Sequence, residues 1–387
     1  MKIYVTGIGI ISSIGENCLE SEKSILLNKS GLSKSKEYNL HFGQVPMPNE
    51  ELISLLKVNE ENISRTTLLG IAAAKEAWGT KVHNSKINTG LVSSTSVGGL
   101  DKMEQSYFEY LSDSSKDISD RMIHDNSRST EHIAKKLQIK GYVNTISTAC
   151  SSGANAILYG ARLIKRGVLD RVLVGGVDSI TKFNVYGFNS LNIYDNDVCK
   201  PFDENRKGLN LGEGAGYLVL ESDKSIEITG NKKIVQLTGW NNSTDAYHQT
   251  ASSPDGRGAV SSMQKAIKLA GINTAEINYV NAHGTGTINN DSSELIALKK
   301  VFGEKLPNIG STKGFTGHTL AAAGAIESIF SILSIQKQVI PGNVNLELPM
   351  EKGLPIESKS KPALIYHVLC NSFGFGGNCT SLIFSRL

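Results

Sequence analysis

The sequence predicts an α/β fold made of two similar halves. Strand-like apolar runs alternate with segments of helical period along the whole chain. These runs fall into two sets with the same rhythm: an opening strand, helical excursions, then a closing hairpin-like pair. No stretch rich in Pro, Gly and Ser lies between the sets, so the halves are expected to pack as one unit.

In the first set the expected strands are "IYVTGIG" (3–9), "INTGLVSST" (87–95), "VNTISTAC" (143–150), "RVLVGG" (171–176) and "AGYLVLES" (215–222). The second set comprises "KIVQLTGW" (233–240), "INYVNAHG" (277–284), "NIGSTKG" (308–314), "IYHVLCNSF" (365–373) and "TSLIFSR" (380–386). Helical periodicity marks 134–140, 153–167, 259–271, 291–303 and 321–337, each ending at or near Gly or Pro or a change of pattern. The join falls near "SDKSIEITGNKK" (222–233), giving halves 1–230 and 231–387. The two halves share no obvious sequence identity.

Composition narrows the function. The chain has 387 residues, 40% hydrophobic and 20% charged, which is enough for one large core or two fused smaller ones. A net charge of +3 is too small to argue for nucleic acid. No apolar run approaches the roughly 18 residues that span a bilayer, so no membrane partner is expected. The apolar start "MKIYVTGIGIISSIG" is broken by Gly and Ser and reads as a buried strand and turn rather than a signal peptide. Five scattered cysteines without CxxC spacing argue for a reducing compartment, and the cytoplasm is the expected location.

One cysteine stands apart. In "NTISTACSSGANAI", Cys150 follows a β-branched run and opens a helix of small residues. A lone cysteine is more often a small buried hydrophobe. A helix N-terminus, however, favours the thiolate, and the same turn aims backbone N–H groups at a developing oxyanion. Two histidines also follow expected strands: His283 in "NAHGTGTINND" and His318 in "STKGFTGHTLAAAGAIE". With the glycine-rich "NSFGFGGN" (371–378), all four segments fall at C-terminal strand ends, where open α/β sheets build their sites. No metal, nucleotide or flavin motif is present. "GEGAG" (212–216) lacks the spacing of a phosphate loop.

These blocks, in order, resemble the β-ketoacyl-[acyl-carrier-protein] synthases of the elongating type, within the thiolase superfamily. The resemblance runs from "VTGIGIISSIG" to "SFGFGGN" through "STACSSGANAI", "CKPFDENRKGLNLGEGAGYLVLE", "VNAHGTGT" and "STKGFTGHTLAAAGAIESI". It implies a five-layered αβαβα fold from two duplicated halves, usually a homodimer, with no cofactor. By the same resemblance Cys150 accepts an acyl group from acyl carrier protein. The N–H groups of Cys150 and Phe375 form the oxyanion hole, and His283 and His318 assist decarboxylation of malonyl-carrier protein. Lys313 and Glu327 pair to orient the histidines. Thr285 and Thr287 hold the pantetheine arm, Phe373 borders the substrate, and Val97 lies deep in the acyl pocket.

Some segments depart from the family pattern. The stretch before the helix that often offers basic residues to the carrier is acidic here, "VNEENIS" (58–64), and Asn192 stands where an arginine is usual. Lys116, Arg121, Lys200, Arg206 and Lys207 remain as candidate docking cations or as plain solvated charges. The segment 111–130 is polar where the family is more apolar, which leaves room for a specialised lipid or polyene pathway. A degradative thiolase would need a second catalytic cysteine, which Cys370 or Cys379 would have to supply, and "GHP" in place of "GHT". A starter condensing enzyme would carry Asn at His318. Chain-length-determining partner subunits lose the nucleophile that this chain keeps, although a heterodimer with such a subunit stays open. His248 is expected near the pocket mouth without a catalytic role. His41, His83, His124, His132 and His367 are expected on the surface or in packing.

Overall fold

The structure, a computed structural model, describes residues 1–60, 62–81, 84–115 and 125–387. His83, Lys116, Arg121 and His124 lie outside them. Each of the ten expected strand segments overlaps an observed strand. The first half contributes β1 (Ile3–Ser12), β2 (Thr89–Ser94), β3 (Tyr142–Ile146), β4 (Arg171–Asp178) and β5 (Gly214–Ser222). The second contributes β6 (Val235–Thr244), β7 (Tyr279–Asn281), β8 (Asn308–Gly310), β9 (His367–Gly374) and β10 (Asn378–Ser385).

Edge to edge the order is β8-β7-β9-β10-β6-β1-β5-β4-β2-β3. Within each half the strands therefore run first, fifth, fourth, second, third. The pairings match as well: first–fifth and fifth–fourth are antiparallel, while fourth–second and second–third are parallel. This is a structural duplication that the diverged sequences hide. The halves meet through a short pairing of β1 with β6, Tyr4 opposite Gln236 and Val5 opposite Val235.

Among the helices of the described residues, those that build the layers or border the site are α1 (Arg65–Trp78), α2 (Ser152–Lys165), α3 (Lys182–Ser190), α4 (Arg257–Ala270), α5 (Ile288–Phe302) and α6 (Ala323–Lys337). α2 and α6 pack on each other and each touches strands of both halves, so they form the central layer. α1 covers the outer face of β1, β5 and β4, and α4 covers β6 and β10, with α5 beside it. β4 and β5 are buried along their whole length, which explains why their sequences run apolar without alternation.

The central helices are also apolar nearly all round. Ile329, Phe330 and Ile332 of α6 are fully buried, each contributing about 1.5–3 kcal/mol. The stretch Leu320–Lys337 is in fact long and apolar enough to cross a membrane, contrary to the expectation above, but 89% of it lies inside the protein. Small residues set the crossing of the two helices. A Cβ at Gly153 would lie 2.8 Å from Ala325 N and 2.9 Å from Ala321 O, and one at Gly324 would lie 2.7 Å from Ala154 N. That close approach brings the start of α2 against the start of α6, and so Cys150 towards His318.

The strands expected over 277–284 and 308–314 end early, at Asn281 and Gly310, and two further boundaries differ with a visible backbone cause. The strand expected to run to Cys150 stops at Ile146, because Ala149 turns into the left-handed region (φ 50°). The helix expected over 134–140 instead spans Ser127–Lys136 and is closed by Gln138 at φ 56°.

Candidate active site

Cys150 sits on a tight turn between β3 and α2. The left-handed backbone of Ala149 costs about 1–2 kcal/mol. It is held by Ser152, whose hydroxyl donates to Ala149 O at 2.6 Å and accepts from the Thr148 N–H at 2.7 Å. Ser151 occupies the N-cap position of α2 without a side-chain cap bond, and Cys150 precedes it. Cys150 is buried, and burial pushes its thiol up to about 11 despite the pull of Lys313 and of the N–H groups of Phe375 and Cys150 itself. The lowered thiol pKa expected from the helix terminus is thus outweighed by desolvation. The Phe375 N–H lies close enough to the sulfur to lower its pKa, and Phe375 lines the same cavity as Cys150.

His283 follows β7, and its loop is held from behind by Glu294 on α5. That carboxylate accepts the N–H groups of His283 (3.0 Å) and Gly284 (2.8 Å) and the side-chain amide of Asn371 (3.1 Å). His318 follows β8. Its N–H donates to Asn210 O at 2.7 Å, and its Nδ1 accepts the Leu320 N–H at 3.1 Å. The imidazoles meet edge to face with centroids 5.4 Å apart, and Phe373 lies 5.8 Å from His283. Burial first, then the charge of Lys313, holds both histidines well below their ordinary pKa, with His318 adding to the effect on His283.

Lys313 is almost fully buried. Its ammonium pairs with Glu327, donates to the His283 carbonyl and lies 3.3 Å from His283 Nδ1. Desolvation raises Glu327 to about 7, opposed by Lys313. Glu294 is likewise raised to about 7 by burial, opposed by its backbone donors.

Cys150, His283, His318, Thr285, Thr287, Phe373 and Phe375 all line one cavity of about 300 Å³. Thr287 also has a role the sequence reading missed: it caps α5 by accepting the Asn290 N–H, and its hydroxyl lies 2.9 Å from that of Thr285. Val97 does not line this cavity. It is fully buried in an apolar cluster with Leu209, and partly buried Phe188 and Ile193 pack against that cluster from the cavity wall. Its influence on the cavity therefore passes through those neighbours.

Among the candidate cations, Lys207 is exposed and lines the cavity, as does Asn192. Arg206 is buried against Asp203 O and Ser292, and Lys200 pairs with Glu347 at 2.6 Å. His248 is exposed near the mouth, where its Nδ1 accepts the N–H groups of Thr250 and Ala251. Cys370 is buried away from the cavity. Cys379 lines it, but burial, Asp245 and Glu294 push its thiol up to about 12. "GEGAG" is structural: Glu213 clamps Arg65 and accepts the Val45 N–H.

Glu294 and Asp178 were not singled out from sequence. Asp178 ends β4 and accepts the N–H groups of Val97 (3.0 Å) and Ala321 (2.8 Å), tying the Val97 loop to the start of α6. Both carried a signal: an acid closing the apolar run 172–177, and an acid on the buried face of a helix beside Leu295 and Leu298.

The arrangement offers a thiol beside a backbone N–H and, across the cavity, two neutral imidazoles. The whole chain is similar to known proteins. Residues 1–225 match the family model for the β-ketoacyl synthase N-terminal domain, and 235–347 match the model for the C-terminal domain. The 3-oxoacyl-[acyl-carrier-protein] synthase 2 of Vibrio cholerae is 32% identical, over 100% of this chain and 99% of that protein. Among solved structures, the ishigamide ketosynthase/chain length factor superposes with a TM-score of 0.92 at 27% identity, covering 100% of this chain and 99% of the other. A ketosynthase in complex with its chain length factor from Xenorhabdus doucetiae gives 0.82 at 30% identity, covering 100% and 98%. With its cysteine and two histidines gathered at one cavity on a duplicated thiolase-like fold, the chain belongs to the β-ketoacyl synthase family.

Proposed function

We propose that this protein is a 3-oxoacyl-[acyl-carrier-protein] synthase that condenses an acyl thioester with malonyl-carrier protein in fatty-acid or polyketide-type lipid biosynthesis. Cys150 attacks the acyl thioester carbonyl, and the carrier thiol leaves with the proton. The N–H groups of Cys150 and Phe375 hold the oxyanion of that step. Malonyl-carrier protein then enters with its arm along Thr285 and Thr287 and its reacting end beside Phe373. Loss of CO2 leaves an enolate whose oxygen is held by His283 and His318, and its carbon attacks the acyl-Cys150. The Cys150 sulfur departs, and the product is a 3-oxoacyl thioester two carbons longer.

The observation that carries this reading is the orientation of the two rings. Each Nδ1 is engaged from behind, by Lys313 and by the Leu320 N–H, so each Nε2 is the protonated nitrogen. Two neutral donors suit an enolate oxygen better than a base would. Lys313 and Glu327 act by orientation and electrostatics. No cofactor or metal enters the scheme.

Acyl- and malonyl-carrier proteins are the partners in this reading. A homodimer is its simplest assembly, and the ketosynthases seen with a chain length factor favour, as a second reading, a heterodimer in which this chain is the catalytic subunit. We place the division of the halves at 230/231, supported by family matches ending at 225 and starting at 235. Five free cysteines support a cytoplasmic setting. Incubation with acyl- and malonyl-carrier protein, followed by mass analysis of the carrier, tests the function. A 3-oxoacyl chain lengthened by two carbons is expected, and malonyl donor consumed without any lengthened product would overturn it.

A further inference from the structure

The turn that carries the nucleophile and the turn that carries Phe375 come from opposite halves of the chain, and one side chain joins them. Asn378, the first residue of β10, directly follows the Gly374–Gly377 turn. Its Oδ1 accepts from Asn155 Nδ2 (2.8 Å) and Asn242 Nδ2 (2.7 Å), and it shares the Ser151 hydroxyl proton with Thr148 O, each at 2.8 Å from Ser151 Oγ. Ser151 is the neighbour of Cys150, and Asn155 lies one helical turn further along α2. The second amide hydrogen of Asn155 reaches Thr148 Oγ1 at 2.9 Å, on the other side of the nucleophile. Asn155 Oδ1 in turn accepts from Thr380 Oγ1 at 2.7 Å and Asn242 Nδ2 at 3.0 Å. Residues on both flanks of Cys150 are thereby tied to the strand leaving the Phe375 turn.

The other anchors of that turn point elsewhere. The Gly376 N–H donates to Gln249 O and the Asp245 N–H to Gly377 O, each at 2.7 Å, which holds the turn to the loop after β6. Against the nucleophile turn itself the fit is tight: a Cβ at Gly374 would lie 2.7 Å from Thr148 O and 3.0 Å from Ser151 Oγ. The histidines stand outside this network, held by Glu294, Asn210, Lys313 and Leu320.

We propose that Asn378 is a positioning residue for acyl transfer: by gripping Ser151 and Asn155 it sets the Phe375 N–H against the Cys150 sulfur. The proposal rests on the reading of Cys150 as the acyl acceptor. It assigns Asn378 to one chemical step, acyl transfer through the oxyanion hole, and leaves malonyl decarboxylation by the histidine pair unassisted. Since all three close donors converge on Oδ1, an aspartate keeps the acceptor and an alanine removes it.

Wild type, Asn378→Ala and Asn378→Asp are compared in three measurements. The first is the rate of Cys150 acylation by acyl-carrier protein, read by rapid quench and intact mass. The second is CO2 release when malonyl-carrier protein is given to the preacylated enzyme, and the third is the pH profile of Cys150 alkylation. Asn378→Ala should slow acylation roughly 10- to 100-fold, the scale of a misplaced oxyanion donor. Its alkylation profile should move to higher pH, while CO2 release stays within about twofold. Asn378→Asp should recover most of the acylation rate. Thr380→Val, which removes a donor at the far side of the network, should show a smaller loss in the same step even if the alanine variant does not fold. Unchanged acylation in Asn378→Ala, or a parallel loss of both steps with no recovery in Asn378→Asp, overturns the proposal. A wild type that accepts no acyl group overturns the synthase reading, and this one with it.

Discussion

Lys313 places its ammonium 3.3 Å from His283 Nδ1 while also donating to the carbonyl of the same residue. An ammonium has no lone pair, so the ring nitrogen accepts and the proton resides on Nε2. The Leu320 N–H fixes His318 in the same tautomer. Two rings from different loops thus present matching donors to one cavity, and the lysine that enforces this is itself neutralised by Glu327. The account of catalysis turns on that lock.

In the proposed scheme, replacing His283 or His318 by Ala removes one enolate donor. Condensation should fall roughly 10²- to 10³-fold, while Cys150 still becomes acylated. Single-turnover assays started from acyl-carrier protein and from preformed acyl-enzyme separate the two steps. Equal loss in both would contradict the division of labour.

Lys313→Ala leaves the Glu327 carboxylate buried without its cation. Stability should drop by about 3–5 kcal/mol, read from urea unfolding. The double variant Lys313→Met/Glu327→Gln should regain most of that stability. It should not regain the rate, because no ammonium then holds the His283 tautomer.

The pH dependence has a definite sign. Burial and Lys313 keep both histidines well below the ordinary value of 6.5, so they stay neutral as pH falls through 6.5. Protonating either Nδ1 would break its contact with Lys313 or Leu320. Ionisation of the histidines should therefore add no acid limb to malonyl decarboxylation above pH 6.5. A limb near 7 should belong to Glu327 or Glu294, which burial raises to about 7, and should move in Glu327→Gln or Glu294→Gln. A midpoint at or above 6.5 that stays in place in both glutamine variants would contradict the neutral-donor assignment.

In the proposed scheme both threonines hold the pantetheine arm, and both also make a structural contact: Thr287 caps α5, and Thr285 Oγ1 accepts the Thr287 N–H at 3.3 Å. Thr287→Val should cost about 1 kcal/mol of stability through the lost cap on α5. Thr285→Val should cost up to about 1 kcal/mol through the lost acceptor of the Thr287 N–H. Both should raise KM for pantetheine-borne donors, measured with malonyl-carrier protein at saturating acyl donor.

Much of this was legible in the chain. Strands such as β4 and β5 announce themselves as continuous apolar runs, because helices cover both faces. Cys150, His283 and His318 stand out since each follows such a run and meets glycine or small residues. Other features depend on tertiary placement. α1 escaped the periodicity reading because "RTTLLGIAAAKEAW" is buried on most sides and so lacks a polar face. The turn at Ala149 carries no glycine to betray its positive φ, so the preceding strand read four residues too long. The Cys150 thiol was expected to be acidic from its helix terminus, and only the enclosing residues reveal that desolvation dominates. Glu294 and Asn378 act by joining segments more than 70 residues apart, which local sequence cannot express.

The most direct test is the intact mass of the protein after mixing with a panel of acyl-carrier proteins, with Cys150→Ala alongside. The account predicts a covalent acyl adduct, mapped to the Cys150 peptide and absent from the variant, that discharges as a lengthened 3-oxoacyl product when malonyl-carrier protein is added. An adduct that persists in Cys150→Ala, or no adduct with any donor, would contradict it.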